Sequence, residues 1–105
     1  MHRGDIHELR LPKGVGRAQD GRRCGVTVQS DASLPRTVVL LAPTSTGARA
    51  ATIRPEIRVL GKTTRVLVEQ VGAVDVSRLG KHVGRVEVDA MWSIDDSLAT
   101  VLGPG

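Results

Sequence analysis

The chain has no Tyr, no Phe and a single Trp among 105 residues. That composition rules out the aromatic stacking platforms with which many sheets hold single-stranded bases. It has one cysteine, Cys24, so no internal disulfide can form. His2, His7 and His82 are scattered and show no metal-ligand spacing with Cys24, so neither a metal site nor a cofactor is expected. No apolar run approaches the roughly 18 residues that a membrane span needs. The opening, MHRGDIHELR, is polar where a secretory leader carries an apolar segment, and a cytoplasmic protein is expected. Phosphate-binding glycine fingerprints are also missing: GVG at 14–16 lacks a third glycine and a following helix.

What the chain does have is positive charge, unevenly placed. The net charge is +4 and the pI is about 10.2. Residues 1–60 hold ten Arg and Lys against five Asp and Glu, whereas the remainder holds five against six. Between residues 10 and 23 lie Arg10, Lys13, Arg17, Arg22 and Arg23 with Asp20 as the single acid. Such a cluster suits a phosphate-bearing partner, although a solvated basic loop gives the same count.

The length fits one domain, residues 1–105. Short β-branched runs separated by turn residues predict strands over 5–11, 25–29, 36–42, 56–59, 64–68, 73–74 and 83–86. The run RTVVLLA at 36–42 is almost wholly apolar, as expected of a strand covered on both faces, and the polar stretch TSTGARAATIR after Pro43 reads as a loop. Apolar residues Met91, Ile94, Leu98, Val101 and Leu102 recur at helical spacing, predicting a helix over 89–102 with Asp89 as N-cap and Gly103-Pro104 as its stop. Trp92 lies off that stripe and reads as core filling or an interface anchor. The fold class expected is mainly β with one C-terminal helix capping a barrel or sandwich.

Two features carry chemistry. Arg22 and Arg23 stand at the mouth of a strand, and Thr44, Ser45 and Thr46 follow the buried strand. A guanidinium offers planar, bidentate donors to phosphate oxygens, and a hydroxyl adds a further directional bond. Cleaving RNA through its own 2′-OH needs such donors together with a base and an acid. By spacing alone, a structural role is the better reading of these residues, since Arg beside a strand and Thr after one are common.

The order of motifs adds a resemblance. Arg3-Gly4-Asp5-Ile6, GRRCGVTVQSD, LLAPTST, RPEIRV, VLVEQVGAVDVSRLG, HVGRV and the terminal VLG, in that order, resemble the MazF/PemK family of toxin endoribonucleases from toxin–antitoxin modules over almost the whole chain. The resemblance implies an SH3-like β-barrel of the MazF/CcdB type acting as a homodimer. It further implies metal-independent, sequence-selective cleavage of single-stranded RNA to 2′,3′-cyclic phosphate and 5′-OH ends, and inhibition by a cognate MazE-like antitoxin. The family's catalytic arginine falls on Arg23 and its catalytic threonine on Thr44. Arg17, Arg22, Gln29, Ser45, Thr46 and Gln70 are then RNA-binding candidates. Where many members carry Pro after the arginine this chain has Cys24, and where they carry Glu in the preceding loop it has Ala18, leaving Asp20 as a candidate auxiliary acid or base. The alternatives are a CcdB-like gyrase poison, disfavoured because the chain ends Leu-Gly-Pro-Gly in place of an exposed Trp-Gly-Ile-type tail, or a catalytically weakened RNA-binding or antitoxin-binding homologue.

Overall fold

The computed structural model describes residues 1–10, 23–30 and 37–103. Seven strands are present: β1 (Asp5–Leu9), β2 (Arg23–Thr27), β3 (Val38–Ser45), β4 (Glu56–Val59), β5 (Lys62–Val66), β6 (Gly72–Asp75) and β7 (Leu79–Arg85). Helix α1 (Val88–Leu102) ends the described chain, and two short 3₁₀ turns, Val68–Gln70 and Val76–Arg78, flank β6. The strands form one curled, antiparallel, half-barrel sheet in the order β4-β5-β3-β2-β1-β7. β3 bridges its two parts, pairing with β6 through Val38–Leu41 and with β5 through Thr44 and Ser45.

Register and alternation decide what is buried. Ile6, Val26 and Ala42 sit opposite one another on β1, β2 and β3, and all three lie on the inner face in the core. Cys24, Val28, Ile57, Val66, Val68 and Val86 join them. α1 covers this face: Ile94 is fully buried, and Met91, Leu98 and Val101 pack beside it. Leu102, the last member of the predicted stripe and the last residue of α1, is instead 70% exposed. Trp92 is 68% exposed, so it does not fill the core.

Several boundaries differ from the sequence expectation: β1 stops at Leu9, β2 spans Arg23–Thr27 and so includes Arg23, and β7 begins at Leu79. β3 runs through Pro43 to Ser45, so the hydroxyl cluster begins inside the strand and not in a loop. The fifth strand starts at Lys62 and gives way after Val66 to a 3₁₀ turn. The helix begins at Val88 with Glu87 as N-cap and no side-chain cap bond, while Gly103 ends it at a φ of 67°, a conformation glycine accepts without Cβ strain.

Asp5 anchors the amino-terminal strand. Burial alone raises the pKa of its carboxyl, but three donors reverse the sign. The His2 N–H donates to Oδ2 at 2.7 Å, while Arg85 Nε at 3.2 Å and His82 Nε2 at 3.3 Å face Oδ1, and together they hold the carboxyl below its ordinary value of 3.8. A depressed folded pKa means that the stabilisation is present above the unfolded value and is lost as pH falls through the folded one. Asp5→Asn is therefore expected to lower Tm at neutral pH, with the deficit relative to the parent protein shrinking below pH 3.8. Thermal melts across that range check this, and a deficit that stays constant into strong acid contradicts it.

Candidate active site

The start of β2 and the end of β3 meet at one end of the sheet. β2 and β3 pair through Gly25 and Pro43, Val26 and Ala42, and Thr27 and Leu41. Continued outward, the same register sets Cys24 opposite Thr44 and Arg23 opposite Ser45. A side-chain bond confirms the approach, since Thr44 Oγ1 donates to the Cys24 carbonyl at 3.3 Å. The strand ends thus form a rim, with Leu9 of β1 beside Arg23 and Arg65 of β5 beside Ser45.

Alternation divides the rim residues between two faces. Thr44 points to the inner face with Cys24 and is 5% exposed. Arg23 is exposed on the outer face, in the row that also holds Ser45 and Arg65. Among the described residues, no carboxylate or carbonyl bonds the Arg23 guanidinium, so its five donors remain open to a ligand. Thr46, one residue beyond β3, is exposed at the same end. Arg23 and Thr44 therefore approach each other only at the rim, where both strands stop.

Two further sequence candidates take part in backbone hydrogen bonds. Gln29 follows the far end of β2, and its Oε1 accepts the Leu40 N–H at 2.9 Å, which ties β2 to β3. Gln70 ends the 3₁₀ turn after β5, and its backbone N–H donates to the Leu67 carbonyl at 2.9 Å. Arg17, Asp20 and Arg22, together with Ala18, lie outside the described residues. Cys24 is buried in the inner row and forms no disulfide, which is the environment of a packing residue.

The register reveals residues that sequence spacing missed. Glu8 is the cross-strand partner of Cys24, so a carboxylate-bearing residue stands in the inner row Glu8, Cys24, Thr44. Arg65 is the partner of Ser45. On the other side of Arg23, Arg10 and Arg78 clasp one another where β1 ends and β7 begins: Arg10 N–H donates to the Arg78 carbonyl at 2.8 Å and Arg78 Nε to the Arg10 carbonyl at 3.0 Å. Arg54 has a different task. Its Nε and Nη2 reach Glu69 Oε2 at 3.0 and 2.7 Å, and this guanidinium holds the Glu69 carboxyl below its usual range. Among the described residues no group of three metal-ligating side chains converges.

Comparison with known proteins fits this architecture. Residues 2–102 match the family described as PemK-like, MazF-like toxin of type II toxin–antitoxin systems. A protein described as a toxin, from Mycobacterium tuberculosis (strain ATCC 25618 / H37Rv), is 38% identical over 89 residues, covering 84% of this chain and 83% of its own. Among solved structures, a MazE-MazF complex from Deinococcus radiodurans superposes with a TM-score of 0.81 at 20% identity, covering 100% of this chain and 97% of that one. An endoribonuclease in complex with its cognate antitoxin from Mycobacterial species gives 0.79 at 20% identity, with the same coverage. The half-barrel with one terminal helix is therefore the MazF fold, and the chain belongs to the PemK-like, MazF-like toxin family of type II toxin–antitoxin systems.

Proposed function

We propose that the chain is the endoribonuclease toxin of its module and that it cuts single-stranded RNA at the rim between β2 and β3. The observation that carries this reading is Arg23: an exposed guanidinium with no protein partner among the described residues, held next to two hydroxyl residues in a toxin-family fold.

The chemistry follows from the donors. The ribose 2′-oxygen, losing its proton to a base, attacks the adjacent phosphorus, and the P–O5′ bond breaks as the departing oxygen takes up a proton. The products are a 2′,3′-cyclic phosphate and a 5′-OH. Negative charge builds on the equatorial oxygens, and the planar Arg23 fork meets two of them without help from a metal ion. The Thr44 hydroxyl supplies a further donor. Its 3.3 Å bond to the Cys24 carbonyl is long for an O–H donor, whose ordinary distance is about 2.7–2.8 Å. A charge-assisted bond to a phosphoryl oxygen is roughly twice as strong as a neutral one, so the proton turns to the substrate when RNA is bound. Asp20, by its place in the sequence, and Glu8, by its place opposite Cys24, are carboxylate candidates for the base.

Thr44→Val keeps the shape of the side chain and removes only the hydroxyl. A bond to a charged group contributes about 1.5–3 kcal/mol, so kcat/KM is expected to fall about 10- to 100-fold. Steady-state cleavage of a fluorogenic RNA checks this, and an unchanged kcat/KM removes Thr44 from the mechanism.

The toxin works as a homodimer in the cytoplasm and is silenced by a MazE-like antitoxin, in keeping with the MazE-MazF and toxin–antitoxin complexes that share its fold. The decisive comparison with a gyrase poison is substrate. Purified protein is incubated with a long RNA, and separately with gyrase and supercoiled DNA; cut RNA and untrapped gyrase support the nuclease, and the reverse supports the poison.

A further inference from the structure

The rim carries more guanidinium groups than one phosphate can use. Four arginines are gathered there although they are spread over the chain: Arg23 starts β2, Arg65 lies in β5, Arg10 directly follows β1, and Arg78 ends the 3₁₀ turn that leads into β7. Strands lie about 4.8 Å apart, so the four steps from β7 to β5 span roughly 19 Å across the strands, with Arg23 on β2 between the two ends. Their own bonds use little charge. Arg10 Nη1 reaches the Ser77 carbonyl at 3.4 Å, Arg78 Nε the Arg10 carbonyl at 3.0 Å, and Arg65 Nη1 the Arg54 carbonyl at 3.0 Å. Among the described residues, the one carboxylate paired with any of the four is Glu56, 3.5 Å from Arg65. Arg54, by contrast, is neutralised by Glu69 at 2.7 Å. The β4–β5 hairpin extends past the end of β3 and adds Arg58, whose guanidinium donates to the Gly61 carbonyl at 3.1 Å.

We infer that the rim is a phosphate track: Arg65 on one side of Arg23, and Arg78 with Arg10 on the other, bind the backbone phosphates flanking the one that is cut. RNA then crosses the strand ends from β7 to β5. Like charges this close repel, and an anionic strand laid along them relieves that repulsion. The line is continuous with the proposed scissile site at Arg23. Leu60, 68% exposed at the tip of the β4–β5 hairpin, is a single apolar neighbour of Arg58, where an acidic peptide docking as a folded segment would use several apolar anchors. These contacts position the strand without reading its sequence. The inference rests on the endoribonuclease reading above.

The test separates the two. Binding of an oligoribonucleotide methylated at every 2′-oxygen, which cannot be cut, is measured from 50 to 200 mM salt for the parent protein, Arg65→Gln, Arg78→Gln and Arg65→Lys. Each charge-removing variant is expected to flatten the slope of log K against log salt by about 0.7, and Arg65→Lys to keep it. With cleavable RNA, KM rises several-fold for the two Gln variants while kcat holds, a split that general misfolding does not produce. Thermal melts of every variant accompany the binding data. A parent protein that cuts RNA together with Gln variants of unchanged slope overturns the track and leaves the nuclease reading intact. So does a defect confined to an acidic polypeptide such as polyglutamate. A parent protein that neither binds nor cuts RNA overturns the nuclease reading itself.

Discussion

Replacing Arg23 with alanine is expected to lower kcat for RNA cleavage by at least about 10²- to 10³-fold, the cost of removing one preorganised donor to developing charge. The stability of the protein should hardly change. Arg23 is exposed and, among the described residues, makes no side-chain bond, and substitutions at such surface positions usually stay within about 0.5 kcal/mol. Catalysis and folding thus come apart at this residue. Arg23→Lys provides the finer reading: it restores a positive charge but not the planar fork, so binding of RNA returns while most of the kcat deficit remains. A variant that cleaves at the parental rate, with its fold verified by melting, would move the reacting phosphate away from Arg23.

The second large effect concerns the lid of the core. Ile94 is fully buried where α1 closes over the inner face of the sheet, among Ile6, Val26, Val66 and Val68. Cutting it to alanine removes buried methylenes and leaves a cavity, at a cost of about 3 kcal/mol in a domain whose total stability is on the order of 5–15 kcal/mol. Tm should drop by roughly 12–24 °C. Trp92→Ala, on the same helix but 68% exposed, is the control and should leave the isolated chain close to its parental stability. Comparable losses for both variants would show that the outward face of α1 is covered in solution; a loss under about 1 kcal/mol for Ile94→Ala would show that α1 does not close the core as described.

How much of this was legible in the sequence depends on whether local pattern or long-range register sets the position. The Arg3-Gly4-Asp5-Ile6 motif is an example of the first. Each residue has its own task there: Arg3 pairs with Asp95 of α1 and donates to the Val28 carbonyl, Gly4 takes a φ of 92°, Asp5 gathers three donors, and Ile6 enters the core. The helix was equally visible, because Ile94 and its i±3 and i±4 neighbours must face the sheet. Its N-cap was not, since Glu87 caps without a side-chain bond and so leaves no residue signature. The hydroxyl cluster was misplaced by one element. Pro43 suggested a strand end, yet a proline whose missing N–H leaves no ladder bond unmade can remain in a strand, and its carbonyl still accepts the Leu67 N–H at 2.8 Å.

The candidate site was half legible. Arg23 and Thr44 are recognisable from their neighbours in sequence, and the register brings their strands together. Arg65 and Arg78 carry no local mark. They reach the rim only because β5 pairs with the end of β3 and β7 with the end of β1, contacts between residues 20 to 70 positions apart. Glu8 is similar, since nothing in DIHEL announces that its fourth residue will face Cys24. Gln29 shows the converse: a polar residue at a strand end that looks available for RNA is engaged in holding the Leu40 amide.

The central claim is that this rim cleaves RNA through its own 2′-oxygen, with Arg23 as the charge-stabilising group. Mapping the ends of a long RNA cut by the purified protein in excess EDTA tests it most directly. New termini that carry a 2′,3′-cyclic phosphate and a 5′-OH, absent when Arg23→Ala replaces the parent protein, are the predicted result. Uncut RNA, fragments ending in 5′-phosphate, or equal cutting by the two proteins would contradict it.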